Sequence, residues 1–310
     1  MFCTSGCFSS RSIPTAAPTI AATFVPQKAL WRFTDATALA VDQFGNAFVV
    51  ESSSNSILKL SPNGDSLHDV RGSGDDHYQF NGPCSIDARL SNAIFIADRF
   101  NHRVEQYTKD LLYSGTLYTR ESNDPNTRFG YPTAVAADDA GNIYVADGEN
   151  KRVIEFRSDY SYLRTIGGYS QSMRPEAILS NPVGLAVDAD EHLIVLDNGG
   201  TSLVEYDNLG NFIARAELGE PARSITSCEK ELFALMEEGS IVRRFQTNSL
   251  QEDRSWSFMQ DMVLLPAKKL DQSDTSPSES FLFRNKQYYL LTHRRLYLCI
   301  PLICGDSALR

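Results

Sequence analysis

Three kinds of residue in this chain could do chemistry: carboxylates that recur at a fixed interval, scattered histidines and cysteines, and a few charged residues set among small ones. Asp98 follows Pro83 by fifteen residues, Asp147 follows Pro132 by fifteen, and Asp197 follows Pro182 by fifteen. The same interval aligns three degenerate copies, Ala36 to Glu51, Pro221 to Met236 and Pro277 to Thr292. Repeated acids could ligate a metal or trade protons, but an acid at a strand end commonly accepts the backbone N–H groups of the next turn. Recurrence favours that structural task over a single active site. Glu51, Asp98, Asp147 and Asp197 are therefore expected at turn-holding positions, and Asn101 with Arg103 and Asn150 with Arg152 read the same way.

The five histidines are His68, His77, His102, His192 and His293. None falls two or four residues after the start of a copy, on the inner strands, so three imidazoles converging on zinc are not expected. The six cysteines form no C-x-x-C pair. Cys84, Cys228 and Cys299 lie in apolar runs and are expected as buried thiols. Pairing of Cys3 with Cys7, or of Cys299 with Cys304, stays open.

The formal net charge of -10 and pI near 5.0 oppose general attraction to nucleic-acid phosphates or anionic lipid. No apolar run is long enough to cross a membrane as a helix. Residues 1–28 lack acids and are rich in Ser, Thr, Ala and Pro, the composition of a low-order leader. An organelle-targeting stretch, a processed export segment and the remnant of a lipoprotein signal all remain open for it. With no N-x-[ST] acceptor in the chain, a eukaryotic secretory route is mildly disfavoured.

The elements that must position these residues follow from the copies. Copies start at 36, 83, 132, 182, 221 and 277, the period of a propeller blade. Within each, short β-branched or aromatic runs such as "NIYVAD" and "RVIEF" alternate with turns such as "DDAGN" and "DGEN". Each copy supplies about four antiparallel strands, and closing six such sheets into a ring limits exposed edges. The expected fold is an all-β, six-bladed β-propeller of four-stranded antiparallel blades over residues 29–302, with a short tail at 303–310. The sixth copy has room for three strands, so the orphan "ALWRF" at 29–33 is expected to complete the last blade.

In such a ring the inner strands crowd the axis. Two residues after each copy's start stand Ala38, Ser85, Ala134, Gly184, Arg223 and Glu279. Small residues suit that place. Arg223 and Glu279 depart from it, and Asp87 departs from the small residues two places further on. Charges near a narrow channel must be paired or wet. Either Arg223 and Glu279 form a space-filling ion pair, or they line a polar pocket at the channel mouth with Asp87. The turn "LLTHRRLYL" adds His293, Arg294 and Arg295 on the face where each first strand starts and each second strand ends, either as a solvated turn or as a contact for an acidic partner.

The copies "PTAVAADDAGNIYVADGENKRVIEF" and "PCSIDARLSNAIFIADRFNHRVEQY" resemble NHL repeats, with "PVGLAVDADEHLIVLDNGGTSLVEYDNLGNF" close behind. The resemblance is strong over 72–219, fair over 34–71, and rests on spacing alone beyond 220. It implies a scaffold or subunit that binds a protein or peptide across its top face, non-catalytic and without a cofactor. Two alternatives travel with the resemblance. One is a gluconolactonase-like metal-dependent hydrolase holding a divalent cation in the central channel, for which Glu279 and Asp87 offer oxygens and Arg223 opposes the charge. The other is an RNA-binding NHL domain, which the acidic total disfavours.

Overall fold

The computed structural model describes residues 22–169, 174–228, 231–237, 241–246, 257–264, 278–284, 287–292 and 294–303. A strand β1 (Ala22–Arg32) precedes the blades. Blade one is β2 (Ala36–Val41), β3 (Ala47–Glu51), β4 (Ser56–Leu60) and β5 (Ser66–Arg71); blade two is β6 (Pro83–Asp87), β7 (Ile94–Asp98), β8 (Arg103–Tyr107) and β9 (Tyr113–Tyr118). Blade three is β10 (Pro132–Ala137), β11 (Ile143–Asp147), β12 (Arg152–Phe156) and β13 (Tyr162–Ile166); blade four is β14 (Gly184–Val187), β15 (Leu193–Asp197), β16 (Ser202–Tyr206) and β17 (Phe212–Glu217). Blade five is β18 (Ala222–Cys228), β19 (Glu231–Met236), β20 (Ile241–Gln246) and β21 (Ser257–Leu264). The last blade has β22 (Ser278–Arg284), β23 (Gln287–Thr292) and β24 (Arg295–Ile303), and β1 pairs antiparallel with β24 as its outer strand.

The chain is thus a six-bladed propeller whose N-terminal strand closes the ring. That strand starts at Ala22, earlier than the "ALWRF" segment alone, and its first residues also pair in parallel with β21 of blade five, Ala22 opposite Met262. A single strand therefore ties the fifth and sixth blades into one eight-stranded sheet.

Alternation along each strand explains the core. In β11, Ile143 and Val145 point into one apolar cluster with blade two, while Tyr144 points into another with blade four. Repeated around the ring, this gives six clusters, one between each pair of neighbouring blades. Inner strands are latched as well as packed. Thr133 donates its hydroxyl to the Pro182 carbonyl of the next blade at 2.7 Å, and the Cys84 thiol does the same toward Pro132 at 3.3 Å. Burial pushes the Cys84 thiol up to about 12, so it serves as a packed donor rather than a nucleophile. Cys228 is half-buried and Cys299 buried.

Pairing corrects the alignment of the last two copies. In blades two and three Pro83 faces Asp98 and Pro132 faces Asp147. In blade five Ala222, not Pro221, faces Met236, and in blade six Ser278, not Pro277, faces Thr292. The cause is hairpin length. Blades one and three join their first two strands by a loop clasped between Asp42 and Asn46 or Asp138 and Asn142, whereas pairing in blades five and six runs on to Cys228 opposite Glu231 and Arg284 opposite Gln287. An odd loop becomes an even one, and the register shifts by one residue. Ser224 and Ser280 therefore take the small axial position of Ser85 and Ala134, and Arg223 and Glu279 take the latch position of Cys84 and Thr133.

Candidate functional site

Strand direction places the starts of the first strands, the turns between second and third strands, and the connectors between blades on one face, here the top. The repeated acids sit just below it. Asp147 accepts the Gly130 N–H at 3.1 Å, the Asn150 amide at 2.8 Å and the Arg152 guanidinium at 3.0 Å. Asp98 accepts from Asn81 N–H, Asn101 and Arg103 in the same way, and burial nonetheless pushes its carboxyl above the ordinary range. Asp197 accepts Ser180 and Asn181 N–H groups, with Arg215 of β17 supplying the guanidinium, and Glu51 accepts Thr34 N–H. The arginines go on to bind connector carbonyls: Arg103 those of Asp75, Asp76 and Gln79, and Arg152 those of Pro125 and Arg128. These groups fasten each connector to its blade.

The other expected site residues are not gathered in one place. Arg223 is exposed at the top and donates to the Glu237 carbonyl at 2.7 Å. Asp87 lies at the far end of its inner strand, opposite Phe95, and accepts the Arg89 N–H at 3.0 Å. A five-residue strand separates these two levels by about 13 Å. Glu279 occupies the bulge position between Ser278 and Ser280; its side chain and His293 lie outside the described residues. Arg294 is exposed, Arg295 half-buried, and the Thr292 hydroxyl accepts both their N–H groups.

The inner strands enclose a channel of 960 Å³ lined mainly by small residues. Its lower end is crossed by Arg89. From blade two, Arg89 reaches Asp139 of blade three at 2.7 Å, and the Val187 carbonyl and Glu191 of blade four at 2.7 and 3.1 Å. It stands where Asp42 and Asp138 clasp their own loops. The sequence signal was a basic residue in an otherwise acidic turn position.

A second group missed by spacing arguments lies on the top face between blades two and three. Phe100, in the 3-10 turn Arg99–Asn101, is 52% exposed, and Tyr131, next to Pro132, is 40% exposed. Their rings meet edge to face at 6.4 Å. His102 packs against Tyr131 at 4.3 Å and its Nδ1 accepts the Tyr131 N–H at 3.1 Å. Arg99 lies over Phe100, and Arg120 lies over Tyr131 while pairing with Glu149 at 2.9 Å. Burial and the Arg120 charge hold the His102 imidazole below its ordinary pKa, matching its acceptor role. Two glycines make the patch sterically feasible. A Cβ at Gly82, whose φ is +67°, would meet the Phe100 ring at 2.5 Å, and one at Gly130 would collide with the Arg120–Glu149 pair.

Among known proteins, the NHL repeat model matches residues 129–156. No curated protein matches the chain by sequence. Its fold is similar to a gluconolactonase from Xanthomonas campestris, with TM-score 0.63, 12% identity, and 93% of this chain and 98% of that one covered. It is also similar to virginiamycin B lyase from Staphylococcus aureus, with TM-score 0.59, 11% identity, and coverage of 90% and 99%. A chain of a nidogen/laminin complex gives TM-score 0.56, 18% identity, and coverage of 74% and 81%. At these identities the likeness shows the fold alone.

Proposed function

We propose that this chain, an NHL-repeat six-bladed propeller, is a non-catalytic recognition module that binds a protein or peptide across its top face. The observation that carries the reading is the top-face cluster of exposed Arg99, Phe100 and Tyr131 with half-buried His102 and Arg120. Aromatic rings backed by arginines, held rigid by the turns of two blades, have the composition of a binding hot spot. Rings already fixed in place lose little freedom when a partner covers them. One structural neighbour is a component of a protein–protein complex, nidogen with laminin, which is consistent with this use of the fold.

Other readings draw less support. Arg103 and Arg152 are consumed by connector carbonyls, so they are not available to phosphates as an RNA-binding rim would need. For a lactonase-type channel cation, the two expected ligand positions lie towards opposite ends of the inner strands, Asp87 opposite Phe95 at the end of β6 and Glu279 beside the first pair of β22, Ser278 opposite Thr292, and Asp139 is engaged by Arg89.

Affinity capture from the native source tests the proposal. The wild-type chain should recover a defined partner that a Phe100→Ala/Tyr131→Ala variant loses while its thermal unfolding stays cooperative. Recovery of the same partner by both would overturn the assignment to this patch.

A further inference from the structure

Blade four carries a departure from the repeat that the proposed top-face role does not use. In blades one and three, the loop joining the first two strands is closed by an asparagine. Asp42 Oδ2 accepts the Asn46 amide at 2.9 Å, and Asp138 Oδ2 accepts the Asn142 amide at 2.7 Å. The corresponding loop of blade four begins at Asp188 and puts His192 in the asparagine's place. Backbone contacts of the loop are unchanged, since Asp188 Oδ1 still accepts the Asp190 and His192 N–H groups at 2.9 Å. The other carboxylate oxygen has lost its donor. Asp188 is only 3% exposed, yet its Oδ2 accepts no hydrogen bond.

What faces that oxygen is a set of ligand atoms. His192 Nδ1 lies 3.7 Å from Asp188 Oδ2 and shares a hydrogen bond with Glu205 Oε1 at 3.0 Å, whose proton a bound cation would displace. Glu205 comes from β16, whose residue pairs with Ile194, so the sheet itself holds it beside the loop. One atom from each of the three residues lies within 4.8 Å of the others. Ligands around a metal at 2.0–2.2 Å sit roughly 3–4.2 Å apart, so a small rotamer adjustment suffices. The side chain of His192 is 16% exposed, which gives an approach from solvent. Arg89 does not fill the corner with its own charge, because near Asp188 it bonds the backbone carbonyl.

We infer that Asp188, His192 and Glu205 form a binding site for a first-row divalent cation of the Zn2+ or Mn2+ class, with water completing the coordination. One imidazole and two carboxylates suit these ions better than the all-oxygen sets that select Ca2+ or Mg2+. The site lies at the lower loop of blade four, at the opposite end of the blade from the top-face patch. A bound ion would tie that loop to β16 and steady the segment to which Arg89 bonds.

Tag-free full-length protein, stripped with EDTA and dialysed, is titrated calorimetrically with ZnCl2, MnCl2 and CaCl2 and melted with and without each ion. One equivalent of Zn2+ or Mn2+ per chain is expected, with a raised Tm and weaker response to Ca2+. His192→Asn recreates the closure of blades one and three, so it should fold normally and lose about tenfold or more in affinity. Glu205→Gln serves as the second variant if His192→Asn is insoluble. No stoichiometric binding of Zn2+ or Mn2+, or unchanged binding by the variant, overturns the site.

Discussion

Replacing Asp147 by Ala would leave the Gly130 N–H, the Asn150 amide and the Arg152 guanidinium without their shared acceptor. Breaking a buried pair of this kind costs about 3–5 kcal/mol, and urea unfolding of Asp147→Ala should show a loss of that size. An unchanged midpoint would mean that the acid does not hold its connector. The His102 imidazole couples stability to pH. Its folded pKa is depressed, so on acidification the unfolded chain takes the proton first. Stability from this group is intact above the ordinary histidine value and falls as pH drops from there toward the depressed folded value. An NMR titration should place the His102 midpoint below that of free histidine, with the Tyr131 amide shifting in step as Nδ1 stops accepting. A midpoint at or above the free value would contradict the acceptor geometry. The acids were legible in the sequence because they recur. Phe100 and Tyr131 were not, since they belong to different repeats and become neighbours only when the turn of one blade meets the connector of the next. The role of Arg89 was not legible for a related reason: its partners lie in two other blades.

At the scale of strands, pairing depends on short polar latches as well as packing. Thr133→Val keeps the shape but removes the 2.7 Å bond to Pro182, so about 1 kcal/mol should be lost, while Thr133→Ser retains most of it. Equal stabilities for the two variants would show that packing alone joins blades three and four. The closing strand offers a larger test. A chain starting at residue 34 lacks β1 and leaves β24 with an open edge from Arg295 to Ile303. It should aggregate on heating and lose its single cooperative transition in calorimetry; a reversible melt at the original Tm would contradict ring closure by this strand. The ring and its closing strand were readable from repeat spacing and a missing fourth strand. The register of blades five and six was not, because a change of hairpin length alters parity, and a constant fifteen-residue interval carries Arg223 and Glu279 one place too far.

For the whole molecule, the two faces of the ring differ in make-up. The top gathers exposed aromatic rings and arginines, whereas at the lower end Arg89 joins three blades. Little of this division was legible beforehand, since faces are defined by strand direction and by side chains that cross between blades. On the function proposed above, partners dock on the top. The most direct measurement places a photo-crosslinking amino acid at Phe100 on the top, or at the exposed Leu209 in the turn between β16 and β17 on the lower side, and irradiates each with the captured partner. Crosslinks from position 100 and none from position 209 are the predicted result. Crosslinks confined to position 209, or equal yields from both, would contradict it.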